Sequence, residues 1–430
     1  MTIDDLIIDD AEDRRFRVER SVFTKQQILD EEKENIFNRC WLYAGHESEL
    51  PEPETFLARK IANKPIILTR AKDGEIRAFL NACTHRGNLV CREKAGKGKL
   101  LRCFYHSWAF NLEGELAALP GPEAYSGSWK KEDMGLTPVP RVESYRGLIF
   151  ICHDENVEPL AEYLGDVTEY IDLMLDFTDA ESEIAKGEQN YCIGANWKLL
   201  VENSFDSYHG LPTHGRYFGK FLNDVKLDSG SWSELNDGDS LGGRSYAFKN
   251  GHALTENPAR PTPLQIRSQE ELADIKKRLT AKYGEERANR ITGFNRNIFI
   301  FPNLFLIAYW RTIRTFYPVS PDYMEINAWC LLPTNDSPQL KQNRLENFIS
   351  FLGPAGFGTP DDVAALEGCQ KGFAATNRDP GWSDISRGMG KDIADSTDER
   401  QMRTFWREWQ RRMATQETPV DILDNSDAKK

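Results

Sequence analysis

No stretch of this 430-residue sequence stays apolar for the roughly 20 residues that a membrane-spanning helix needs. The amino terminus, MTIDDLIIDDAEDRRF, is acidic where a secretion signal is basic, and it lacks that signal's apolar core. Acidic residues outnumber basic ones, 67 to 54. The formal net charge of −13 repels phosphate-rich surfaces and argues against nucleic acid or an anionic membrane as partner. There is no Gly-rich dinucleotide fingerprint after a strand, no internal repeat and no low-complexity tract. Eight cysteines without a secretion signal point to a reducing compartment, where thiols stay free or bind metal, so the expected location is the cytoplasm.

What is present is a globular composition, long enough for two domains or one elaborated domain. Thr24 to Cys40 reads as a capped amphipathic helix with Ile28, Leu29, Ile36 and Phe37 on its apolar side. Short β-like runs follow between about Trp41 and Asp154, such as PIILTR and IRAFLNA, which are joined by an Asp73-Gly74 turn, and GLIFIC. From Pro159 the chain turns helical. It then alternates helices with longer β runs, notably FIFPNLFLIAYWRTIRTFYPV and YMEINAWCLLP. Grouped strands with helices on one side predict an α+β fold. The expected division is a small antiparallel β domain over 42–157 and a larger domain built from 1–41 and 158–430. KAGKGK, Lys94 to Lys99, reads as a flexible, solvated connection and not as a binding patch.

Two short motifs carry the chemistry. Cys83-Thr-His85 is followed, after seventeen intervening residues, by Cys103-Phe-Tyr-His106. A zinc finger takes its cysteines from one knuckle and its histidines from the other. Here each loop offers one of each, which suits a Rieske [2Fe-2S] cluster, with two thiolates on one iron and two neutral imidazoles on the other. Zinc and unliganded core residues are the alternatives. Cys40, Cys152, Cys192, Cys330 and Cys369 are expected to be structural, and Cys91 has no ligand partner at a useful spacing.

The second motif is ENSFDSYHGLPTH, Glu202 to His214. Trp197, Leu200, Phe205 and Tyr208 recur at helical intervals, which places Asp206 and His209 on one helical face. Gly210 and Pro212 are expected to break that helix and let His214 return toward His209. Two histidines with a carboxylate suit the facial triad of non-haem Fe(II) oxygenases, and the plain alternative is a helix end with two ordinary histidines.

Together these motifs resemble the large (α) subunits of Rieske-type aromatic-ring-hydroxylating dioxygenases, over essentially the whole chain. The resemblance implies a Rieske domain followed by a catalytic domain with a helix-flanked antiparallel β-sheet. It implies that Cys83 and Cys103 bind one cluster iron and His85 and His106 the other. His209 and His214 become ligands of a mononuclear Fe(II), and Asp206 becomes the bridge that passes electrons from a neighbouring subunit. The third ligand follows a GPAG segment, here GPAGFGTPDDVAALEG, at Asp362. Thr359-Pro360-Asp361-Asp362 also reads as a capped helix start with acids complementing the dipole. Two departures from the commoner pattern are Phe104 beside the second cysteine and Ser107, where glycine is usual.

The implied activity is cis-dihydroxylation of an aromatic ring with O2, with a Rieske monooxygenase or O-demethylase as the alternative. NADH would act indirectly, through a reductase with or without a ferredoxin. The closing segment GWSDISRGMGKDIADSTDERQMRTFWREWQRRM resembles α subunits that work with a small β subunit, so an α3β3 hexamer is expected ahead of an α3 trimer. The substrate pocket is expected after His214 and around Ile298 to Trp310. ENSFDSYHGLPTH looks most like enzymes of substituted benzoates. Arg216, Lys220, Arg311 and Arg314 are candidates to meet a substrate carboxylate, or else surface and interface residues.

Overall fold

The computed structural model describes residues 3–221, 239–260, 264, 267–375 and 381–414, with backbone alone at 219–221. Its contacts divide into two compact units, Phe37–Leu160 and Met1–Ile36 with Ala161–Lys430.

The smaller unit begins before residue 42 and ends after residue 157. Trp41 is buried, and its indole N–H donates to the Glu158 carbonyl at 2.9 Å, which holds the entering and leaving chain together. Three antiparallel sheets build the unit. Leu42–His46, Leu148–Cys152 and Arg141–Tyr145 form one; Ala95–Lys97, Thr55–Ile61, Lys64–Arg70 and Ile76–Leu80 form the second; Leu100–Arg102, Ala109–Asn111 and Leu116–Ala118 form the third. The Asp73-Gly74 turn forms as its residues dictate: Gly74 sits at φ +87°, and Asp73 Oδ1 accepts the Glu75 N–H at 3.0 Å. KAGKGK is exposed but not a free connection. Ala95–Lys97 pairs as an edge strand with Thr55–Leu57.

In the larger unit one antiparallel sheet dominates. Ser182–Ile184 and Gln189–Ile193 both pair with Tyr323–Pro333. The order then runs through Thr312–Ser320, Leu304–Ile307, Phe294–Ile300, Ala253–Pro258 and Arg244–Ala247. Helices Gln26–Glu32 and Trp197–Ser204 pack against Thr312–Ser320, Pro338–Leu352 packs against Tyr323–Pro333, and Arg400–Met413 covers Arg244–Ala247 and Ala253–Pro258. The fold is thus α+β, with a helix-flanked antiparallel sheet. Ile28, Leu29 and Ile36 are buried along the expected amphipathic segment, whose last turn, Lys33–Phe37, widens into a π-helix. Cys192 and Cys369, expected to lie in the core, are exposed.

The helix Trp197–Ser204 begins with an Asn196 cap whose side chain accepts the Lys198 N–H at 3.1 Å. Lys198 itself is wholly buried. Its ammonium donates to Glu32 Oε1 at 2.6 Å, and the indoles of Trp409 (2.8 Å to Oε1) and Trp197 (2.7 Å to Oε2) complete the carboxylate's partners. Truncating one member of such a pair strands the other charge in an apolar interior. The expected loss for Glu32→Ala is therefore about 3–5 kcal/mol of stability, read from denaturant unfolding.

His252 is equally buried. Its Nε2–H donates to the Tyr163 carbonyl (2.8 Å) and Nδ1 accepts the Phe301 N–H (3.0 Å), so the neutral ring is fully used. Burial pulls its pKa down from 6.5 to about 4. The unfolded chain takes up this proton near 6.5 and the folded chain only near 4. The stability contribution is complete above pH 6.5 and is lost as pH falls toward 4, by up to about 3 kcal/mol. Replacing His252 by Asn should lower Tm at pH 7.5 yet flatten its fall between pH 6.5 and 5. A parallel fall in variant and wild type would remove His252 as the cause.

Candidate functional site

In the smaller unit the two Cys/His loops are held at their bases by backbone and amide hydrogen bonds. Asn81, buried, accepts the Val90 and Cys91 N–H groups (both 2.9 Å) and donates to the Cys91 carbonyl (2.7 Å). The Cys83 N–H reaches the Asn88 carbonyl and the Cys103 N–H the Trp108 carbonyl, both at 2.8 Å. Cys83 and Cys103 thereby meet in the core formed with Trp108, Phe110 and Leu101. Burial raises the Cys83 thiol. At Cys103 burial acts the same way but is outweighed by the Tyr105 N–H and the Asn88 amide, which favour its thiolate.

The histidines take the outer side. The His85 and His106 rings lie 4.5 Å apart, centre to centre, and His85 stacks on Trp108 at 4.8 Å, while both cysteines are buried. Two sulfurs converge inside and two imidazoles at the edge, the paired donor set of a two-iron cluster. Ser107 occupies the left-handed region, φ +59°, which explains glycine's advantage there, and its N–H donates to the Cys103 carbonyl at 3.0 Å. Its hydroxyl makes no hydrogen bond among the described residues.

In the larger unit His209, His214 and Asp362 come together, with one donor atom from each lying within 4.8 Å of the others. Their route there differs from the expected one. The helix stops at Ser204, residues 205–209 are non-helical, and Gly210–Gly215 is itself a short helix in which Pro212 is tolerated in the first turn. Asp206 and His209 therefore do not share a helical face. They still meet, with Asp206 Oδ2 3.2 Å from His209 Nδ1, though not aligned as a straight hydrogen bond. The other Asp206 oxygen accepts the Tyr208 N–H at 2.7 Å.

Asp362 lies in the first turn of Thr359–Phe373. Gly358 is the cap and not Thr359, whose hydroxyl donates to the Leu352 carbonyl at 3.0 Å. Asp362 Oδ1 lies 3.3 Å from His209 Nε2 and 3.1 Å from His214 Nε2. Burial works against its charge, but the two imidazoles outweigh it and hold the carboxyl well below the usual range. Burial likewise opposes charge on His209, and Asp206 with Asp362 still raise it to about 10. The centre draws positive charge to itself, as a divalent cation site must.

Two neighbours of this group were not read from sequence as part of it. The Asn203 amide donates to Asp362 Oδ1 (3.0 Å) and lies 3.3 Å from His209 Nε2. Asp361 approaches the outer nitrogen of His214 at 3.5 Å. Beside the group opens a cavity of about 140 Å³, walled by Trp310 stacked on Phe351 at 4.6 Å, and by Ile307 and Leu352. That volume is about what one benzene ring needs, and the wall is mixed, with Asn297 and Arg314 beside the aromatic rings.

The comparisons agree with this geometry. Residues 40–145 match the Rieske [2Fe-2S] domain, and residues 170–415 match the ring-hydroxylating α subunit catalytic domain. The chain belongs to the Rieske-type ring-hydroxylating dioxygenase α subunits. It is 33% identical to the α subunit of toluate 1,2-dioxygenase from Pseudomonas putida, over 90% of this chain and 84% of the relative. It is 32% identical to the large subunit of 2-halobenzoate 1,2-dioxygenase from Burkholderia cepacia, over 90% and 83%. A crystal structure of naphthalene 1,2-dioxygenase with indole bound superposes with a TM-score of 0.85, covering 96% of this chain and 95% of that one at 25% identity.

As a member of this family the chain is an oxidoreductase, an oxygenase component with a Rieske domain and a catalytic domain for mononuclear iron. Among the described residues no helix is long and apolar enough to cross a membrane. Because Asn203 fixes the orientation of the carboxylate, Asn203→Ala should weaken iron retention about tenfold to a hundredfold. Competition with a chelator measures this, and the visible spectrum of the cluster serves as the unchanged control.

Proposed function

We propose that the chain is the terminal oxygenase of a system that cis-dihydroxylates a monocyclic aromatic acid of the substituted-benzoate kind. What carries this reading is the single-ring cavity with the His209–His214–Asp362 group on one wall. The names of the relatives, which act on toluate and 2-halobenzoate, support the acid.

In this reading Cys83 and Cys103 hold one iron of the [2Fe-2S] cluster in the smaller unit and His85 and His106 hold the other. His209, His214 and Asp362 hold a ferrous ion in the larger unit. Bound there, the mononuclear iron supplies activation of O2, and the cluster supplies electrons. The net change is the addition of O2, two electrons and two protons to adjacent ring carbons. Trp310 and Phe351 present apolar faces to the ring and exclude water from it. In this reading Asp206, 3.2 Å from His209 Nδ1, orients that ring and links it to a cluster histidine of a neighbouring subunit. The Tyr208 N–H leaves its carboxylate further acceptor capacity.

Electrons originate with NADH and pass through a separate reductase, with or without a ferredoxin. The terms "subunit alpha" and "large subunit" in the relatives' names support a small β partner, in an α3β3 assembly ahead of α3. The cytoplasm is the compartment that keeps the cluster thiols reduced.

Metal analysis of the purified chain should give about three irons, two of them in the cluster. Asp362→Ala should lose about one iron and all product while keeping the cluster spectrum. With 18O2, both labels should appear on adjacent carbons of one product. A single label, or a demethylated product, would transfer the chain to the monooxygenase and O-demethylase reading.

A further inference from the structure

Arg314, in the Thr312–Ser320 strand, is 4% exposed, yet among the described residues no carboxylate forms an ion pair with it. Its Nη2 donates to Ser204 Oγ at 2.6 Å, and its buried Nε has no hydrogen-bond partner. Other buried arginines of this unit are satisfied from within: Arg296 by Glu256 and Arg344 by Asp336, each at 2.6 Å. A guanidinium buried without an anion is costly, so its persistence in a folded chain calls for an anion from outside.

Arg314 lines the same cavity as His209, His214 and Asp362. The two carboxylates in that cavity do not serve it, because Asp206 faces His209 and Asp362 faces both histidines. Ser204, which anchors Arg314, is followed within the same motif by His209 and preceded by Asn203, which donates to Asp362. Buried groups without partners also include Trp310 Nε1 and Asn297 Oδ1, both on the cavity wall. The other cations considered from sequence lie elsewhere. Arg311 stacks on Phe177 at 3.4 Å and donates to the Met174 carbonyl, Arg216 is exposed, and the side chain of Lys220 lies outside the described residues.

We infer that Arg314 is the specificity-determining residue that binds the carboxylate of the aromatic substrate, with its Nε–H as one of the donors, and so sets the ring beside the metal group. This rests on the aromatic-acid reading above. A guanidinium pairs with a planar carboxylate through parallel N–H groups, a geometry that neither lysine nor a neutral amide reproduces.

The test compares benzoate with toluene, a neutral ring of similar shape, using the complete holoenzyme. Equilibrium binding is measured by calorimetry with the cluster oxidised, and kcat/KM with the reductase present. Arg314→Gln should bind benzoate about 30- to 100-fold more weakly and leave toluene within about twofold, the loss expected for one charged hydrogen-bonded contact. Arg314→Lys should lose about tenfold for benzoate alone, because it keeps the charge and not the fork. Iron content and Tm are recorded for each variant. Unchanged benzoate binding in R314Q, or equal weakening of benzoate and toluene in a variant that keeps its iron, would overturn the assignment. Should R314Q fail to fold, R314K decides on the same comparison. A wild-type enzyme that prefers toluene to benzoate would instead reject the aromatic-acid reading, and this assignment with it.

Discussion

Lys198 has no water around it, and its charge is sustained by a single carboxylate, Glu32, whose remaining acceptor sites are taken by two indoles. The three segments that meet here, Gln26–Glu32, Trp197–Ser204 and Arg400–Met413, are far apart in sequence, so one desolvated ion pair locks them in register. Interaction between charges is strong in such a setting because little solvent screens it, and displacement of either partner is correspondingly costly. The helix between them is the one that matters for chemistry. Glu202, one turn beyond Lys198, accepts the Trp406 indole N–H at 2.7 Å, and burial raises its pKa to about 8. The next two residues, Asn203 and Ser204, hold Asp362 and Arg314.

The local motifs were legible because metal ligands dictate both residue type and spacing. The Cys83/His85 and Cys103/His106 loops close on themselves, with each cysteine amide bonded to a carbonyl a few residues on, so short-range sequence contains most of what positions them. The α+β class was legible for a similar reason. Runs such as Thr312–Ser320, TIRTFYPVS, are rich in β-branched and aromatic residues, which favour a strand over a helix. Helical periodicity misled at Asp206, where Phe205 and Tyr208 continue the apolar spacing although the helix has ended. Phe205 packs on Phe299 and Phe305, at 5.4 and 5.3 Å, as tertiary core and not as the next turn of a helix. Tertiary packing overrode local pattern there.

Asn203 was not legible as a site residue, and Arg314 was legible only as one of four candidate cations, since what singles each of them out is a partner distant in the chain. Asn203 meets Asp362 and Ser204 meets Arg314 across more than a hundred residues. The sequence alone does not say which of Arg311 and Arg314 meets the cavity: they are three residues apart, so a strand would put them on opposite faces, and Arg311 in fact precedes the strand at φ +51°. The decisive difference is environmental: Arg311 lies over Phe177 and gives an N–H to a backbone carbonyl, whereas Arg314 lines the cavity and has a buried donor, Nε, without a partner.

Charge balance in that cavity joins the metal to the substrate. Counted with both imidazoles neutral, as ligands to a metal must be once His209 has given up the proton that Asp206 and Asp362 favour, Asp206 and Asp362 against Arg314 leave one negative charge among the buried groups, while Arg260, partly exposed, is screened by water. A divalent cation at the His209–His214–Asp362 group reverses that to one positive charge, and a single carboxylate on the substrate brings it to zero. Each addition relieves the imbalance left by the one before, so metal and acid favour each other's binding across a poorly screened space. A neutral arene gains nothing from this coupling, and it leaves the guanidinium as poorly matched as it was in the empty cavity. Selection for an acid therefore follows from the same low dielectric that lets three side chains hold the metal.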